Sequence, residues 1–94
     1  MRVNILEHAD SFAENKDVAR QLRETYIIPT YKHTTEEIIL NFDGVDSSTQ
    51  SFIHALISGL LQEHGEAVLD RVIFEKCNGA IKSLVSTVIN YSLE

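Results

Sequence analysis

The residues of this chain that could do chemistry are few, and the densest group of them is Asp46-Ser47-Ser48-Thr49-Gln50-Ser51. Side chains of these types do one of two things. Their oxygens satisfy the free backbone amides at a helix start, or an exposed hydroxyl accepts a modifying group such as phosphate. Cys77 is the single cysteine and stands beside Lys76, just ahead of a predicted helix whose N-terminus would favour a thiolate. No histidine is close to it in sequence to serve as a base, so it reads as a small packed side chain. His8, His33, His54 and His64 show neither the i,i+4 pairing nor the cysteine partners that metal sites use, and no metal is expected. Glu36-Glu37 and the acids Asp43 and Asp46 fall in predicted loops, where solvated carboxylates are the rule. Gly44, Gly59, Gly65 and Gly79 are too scattered to cradle a phosphate, so no nucleotide cofactor is expected. No catalytic residue is assigned.

Elements with clear periodicity must position these groups. Arg2-Val3-Asn4-Ile5-Leu6 alternates polar and apolar and reads as a short strand, suited to a sheet edge. From Asn15, a plausible N-cap, Val18, Ala19, Leu22 and Tyr26 recur at helical spacing, while Lys16, Asp17, Arg20, Arg23 and Glu24 share the solvated face. Ser11 with Glu14 is a competing cap, and Pro29 is expected to stop the helix. Ile38-Ile39-Leu40-Asn41-Phe42 is a near-continuous apolar run closed by Asp43-Gly44, the pattern of a central strand covered on both faces. Ser47 and Gln50 have capping-box spacing and open a second helix, striped by Phe52, Ile53, Leu56, Ile57, Leu60 and Leu61 and stopped at His64-Gly65. Arg71-Val72-Ile73-Phe74-Glu75 reads as a third strand. Asn78 then caps a third helix, with Ile81, Leu84, Val85, Val88 and Ile89 on one face and Ser83, Ser86, Thr87 and Asn90 on the other.

This alternation predicts an α/β fold, one small open sheet in βαβαβα order with right-handed crossovers and helices packed on it. The 94 residues allow one core, so residues 1–94 form a single domain. With 44% apolar and 23% charged residues the chain should fold, and its net charge of −6 repels nucleic-acid backbones and anionic lipid. An unpaired cysteine, and the lack of an apolar run near ~20 residues, fit a reducing cytoplasmic setting. The uncharged second face of the third helix suits a close contact with a second copy, as in a structural homodimer or adaptor subunit.

Residues 38–56 carry a family resemblance. Ile38-Ile39-Leu40-Asn41-Phe42-Asp43-Gly44-Val45, followed seven residues after Gly44 by Ser51-Phe52 and a helical stripe, resembles the small bacterial STAS-like family of unknown function. That family is related to the STAS domains of anti-sigma factor antagonists. Its hallmark is a hydrophobic strand ending in Asp-Phe-x-Gly-Val, then Ser-Phe at a helix start; here Asn41 takes the acidic position before Phe42. In the antagonists the strand leads to Asp-Ser-Ser-Gly, whose second serine is phosphorylated by a histidine-kinase-like ATPase. Aligned on Gly44-Val45, that serine falls on Ser51, with Thr49 at the acid, Gln50 at the first serine and Phe52 at the glycine; Asp46-Ser47-Ser48 is out of register by three residues.

The resemblance implies a non-enzymatic interaction module whose helix start, Asp46 to Ser51, meets a protein partner of the ATPase class, with Ser51 as phosphoacceptor. A phosphate there would bring about −1.5 to −2 charges to a helix N-terminus, where the dipole stabilises it by ~0.3–2 kcal/mol. A different reading is a small enzyme or ligand carrier using the strand ends near Asp43, Ser51 and Cys77.

Overall fold

In chain order the computed structural model, which describes residues 1–94, runs β1 (Arg2–Asn4), α1 (Ile5–Ala9), β2 (Phe12–Ala13), α2 (Lys16–Leu22), a π turn (Arg23–Ile27), α3 (Ile28–His33), β3 (Ile38–Asn41), β4 (Ser47–Ser48), α4 (Gln50–His64), a 3-10 segment (Gly65–Asp70), β5 (Val72–Glu75) and α5 (Gly79–Ser92). The main sheet is β1-β3-β5, all parallel, with β3 in the middle and β1 at an edge as expected. A second, two-stranded parallel sheet pairs β2 with β4, so the expectation of a single sheet in simple βαβαβα order is corrected to two small sheets and two additional short helices.

Strand order in the main sheet never reverses. Each crossover steps to the next strand on the same side, and right-handed crossovers that step in one direction place their helices on one face. The burial pattern agrees. Val3, Ile38, Leu40 and Val72 point into a single core with Phe52, Ile53, Leu56, Ile57, Ile81, Val85 and Val88 from the helices. The opposite face carries Ile39 and Ile73 half-buried, spanned by the Arg2–Glu75 ion pair and by the Asn41 amide donating to Asn4 Oδ1 at 3.0 Å. The central strand is therefore covered on one face, not both; its apolar run continues to Phe42, fully buried just past the strand.

The helical region after Asn15 departs most from expectation. Asn15 is the cap, its Oδ1 accepting from the amides of Asp17 (2.9 Å) and Val18 (3.4 Å). Pro29 does not stop the chain of turns, which continues to His33. The π turn explains this. Widening the ring to i+5 at Arg23–Ile27 takes up one extra residue before the proline, so that the Ile28 amide bonds to Arg23. The same insertion rotates the apolar stripe: Leu22 is followed inward by Ile27 at i+5, fully buried, while Tyr26 is left 39% exposed.

Similar local physics ends the other elements. The predicted strand at the N-terminus stops at Asn4, because Ile5 turns into the core at the start of α1. Gly65 stops α4 with φ 69°, as the His64-Gly65 pair implied. Gly44 takes φ 81° in the turn after β3, where an added Cβ would stand 2.7 Å from the Leu6 side chain. Asn78 caps α5 through Oδ1, which accepts from the Ile81 amide at 2.9 Å. α5 packs on α4, and the Ser92 hydroxyl donates to the Ser58 hydroxyl at 2.8 Å in the buried seam between them. No helix is long and apolar enough to cross a membrane.

Candidate interaction site

The approach to α4 is held by backbone pairing rather than by the capping box that spacing suggested. The Ser11 carbonyl accepts from the amides of Asp46 (2.8 Å) and Ser47 (3.2 Å), and the Ala13 carbonyl accepts from Thr49 N–H at 3.1 Å. These bonds pull Ser47 and Ser48 into β4 beside β2, so Ser47 is two residues too early to cap. Thr49 takes that place. Its extended backbone (φ −99°, ψ 157°) turns Oγ1 to accept from the Phe52 amide at 3.2 Å, and α4 begins at Gln50.

The six candidate residues thus divide by occupation. The Ser48 hydroxyl donates to the Ala13 carbonyl at 2.8 Å and is half-buried, and Thr49 is the cap. The Asp46 carbonyl accepts from the Asn78 side-chain amide at 2.7 Å, which ties the start of α5 to this loop. Asp46, Gln50 and Ser51 are exposed, and none of their side chains, nor that of Ser47, is used in a hydrogen bond of the fold. Ser51 sits in the first turn of α4 with its hydroxyl free of structural work.

A cavity of about 510 Å³ opens directly beside it, lined by Lys16, Arg20, Arg23, Gln50, Ser51, His54, Ala55 and Tyr91. Sequence reasoning placed Lys16, Arg20 and Arg23 on a solvated face and missed this. Their i, i+4, i+7 spacing was the available signal, since it sets all three on one stripe of a helix. Arg23 is only 24% exposed; its Nη1 donates to the Ala55 carbonyl at 3.3 Å, and its Nε is buried with no partner. Within the same lining His54 Nδ1 and the Tyr91 hydroxyl lie 2.7 Å apart.

Cys77 lies elsewhere. Its cavity, about 290 Å³, is lined by Phe74, Lys76, Cys77, Lys82, Val85 and Ser86, with neither Asp43 nor Ser51 among them. Burial pushes the thiol above its ordinary range, and the nearby Lys82 ammonium only partly offsets this. Of the residues named for a small enzyme or carrier, Ser51 and Cys77 line different cavities, and the main sheet has no reversal of strand order. Since a raised pKa leaves less thiolate at any pH below it, iodoacetamide should alkylate Cys77 more slowly than free cysteine at pH 8, with the rate still climbing above that pH. Alkylation as fast as free cysteine would show that burial does not hold the thiol above its ordinary range.

A singly wound α/β domain whose central strand leads, through a hydroxyl-bearing loop, to the exposed start of a buried helix is the class of protein defined here. The chain belongs to the STAS-like domain family of unknown function (DUF4325), whose model matches residues 18–82, more than half of its length. No curated protein and no solved structure matches it.

Proposed function

We propose that this protein is a non-enzymatic signalling module, similar in action to an anti-sigma factor antagonist, that docks a protein partner through residues 46–51 and the first turn of α4. The partner is an ATPase of the histidine-kinase-like superfold, and Ser51 is its phosphoacceptor. One observation carries this reading: Thr49 and Ser48 do the structural work of the cluster, which leaves the Ser51 hydroxyl exposed and unengaged. In the transfer, the Ser51 Oγ–P bond forms as the bond from the γ-phosphorus of ATP to the ADP oxygen breaks, and the hydroxyl proton leaves to a base on the kinase. A dianion then lies between the two proteins, where a shortfall in pairing of about 4 kcal/mol lowers affinity a thousandfold. The unpaired Cys77 suits a reducing, cytoplasmic setting for such a switch.

Intact-mass measurement after incubation with the candidate ATPase and ATP tests the reading. Gain of one phosphate by the native chain and none by Ser51→Ala is the expected result. A gain that survives Ser51→Ala removes Ser51 as acceptor, and binding of the ATPase with no transfer reduces the protein to an unmodified adaptor.

A second reading, a homodimeric structural subunit, rests on the outer face of α5, where Ser83, Ser86, Thr87 and Asn90 are exposed and uncharged. Light scattering showing a monomer at micromolar concentration would exclude it.

A further inference from the structure

We propose that the cavity between α2, α4 and α5 is an oxyanion site that takes a phosphate monoester. Acids outnumber bases 14 to 8 in this chain, yet three of those bases, Lys16, Arg20 and Arg23, converge on one concavity that no carboxylate lines. Such clustering costs mutual repulsion among the cations, and a bound anion removes that cost.

Their existing pairings are weak or absent. Lys16 is in no ion pair, Arg20 is 56% exposed and 3.5 Å from Asp17, and the Arg23 guanidinium holds only the exposed Glu24 at 3.0 Å and the Ala55 carbonyl. Arg23 Nε is buried and has no acceptor within the protein, so the side chain of this lining residue is not fully paired. Gln50 and Ser51 add the first-turn amides of a fifteen-residue helix, which have no acceptor within the helix, and its dipole favours negative charge at that end. Ser51 itself lines the same space.

Planar guanidinium forks match the oxygens of a phosphate, and a dianion answers three cations better than a carboxylate does. The volume leaves room for the organic part of the ester. Two sources offer this chemistry: a phosphate carried on Ser51 itself, held by the same chain, and the phosphate of a free small molecule. The site stands apart from the phosphoacceptor reading, because a free ester would enter it with Ser51 unmodified.

The test uses the full chain, labelled with nitrogen-15 and titrated with inorganic phosphate and with O-phosphoserine, against sodium chloride at matched ionic strength. Saturable shifts confined to residues 16–23, 50–55 and the surroundings of Tyr91 are expected from the phosphates and not from chloride. Arg23→Gln should weaken binding about tenfold, the loss of one charge-assisted contact. Lys16→Ala and Arg20→Ala, which are exposed and leave the fold intact, should each weaken it about threefold. Lys32→Ala should change nothing. Shifts equal to those in chloride, or binding that Lys16→Ala with Arg20→Ala leaves unaltered, would overturn the proposal.

Chain carrying phosphoserine at position 51, made by semisynthesis, separates the sources. If its own phosphate fills the site, added inorganic phosphate no longer shifts residues 16–23. If the free ligand is the occupant, the shifts persist.

Discussion

Phe52→Ala is expected to lower the unfolding free energy by ~3–5 kcal/mol, the usual cost of removing a fully buried aromatic side chain. Phe52 and Phe42 are the largest side chains sealed in the core, and Phe52 enters it from the first turn of α4. Deleting the ring loses its transfer free energy and leaves a void that helix and sheet can only partly close. Against a total of ~5–15 kcal/mol for a domain of this size, that is between about a fifth and all of the stability. Urea denaturation should show a lowered midpoint with an unchanged slope, since the surface exposed on unfolding is nearly the same. Phe52→Leu, which keeps most of the volume, should cost much less. A loss under ~1 kcal/mol for Phe52→Ala would contradict the placement of this side chain in the core. The proposed phosphoacceptor is exposed to the same change: Ser51 immediately precedes Phe52, and its position depends on the ring beneath that turn.

Arg71→Ala is expected to destabilise the protein by ~2–4 kcal/mol, the second largest effect. The Arg71 guanidinium gathers four backbone carbonyls from the end of α3 and the loop after it: Tyr31 (2.8 Å), Thr34 (2.9 Å), Glu36 (3.1 Å from Nη2) and Thr30 (3.3 Å). It also lies 4.4 Å from the centre of the Tyr31 ring. A helix C-terminus leaves its last carbonyls without partners and carries partial negative charge, so a fixed cation there answers both needs. Thr34 and Glu36 are exposed, which is why the expected cost stays below the sum of the individual contacts. Arg71→Lys should restore less than half of the loss, because an ammonium cannot present a planar fork to four oxygens. Equal stability of the lysine variant and the native chain in urea would show that charge alone matters.

Much of this architecture was legible in the sequence where the cause is local. Asn15 and Asn78 cap as predicted because an amide oxygen two or three residues from a free amide needs no distant help. Gly65 stops α4 for an equally local reason, a positive φ. The central strand was marked by its apolar run, and the stripe of α4 by its spacing. Pro29 misled because its local rule, a broken turn, was met by a π insertion upstream that packing of Ile27 into the core stabilises. Ser47 misled because β2, distant in sequence, captured the backbone around it.

The candidate site divides in the same way. The basic residues 16, 20 and 23 and the hydroxyl cluster at 46–51 were both readable as patterns, and the register of Ser51 came from the family resemblance. Side-chain period and capping depend on neighbours a few residues away, so the amino-acid sequence by itself determined three helices, a central strand and a hydroxyl at a helix start. Only the tertiary structure decided that the residue carrying this hydroxyl lines one cavity with three cations. That meeting depends on how α2 and α4 lie against each other, which is set by buried residues from every part of the chain acting together.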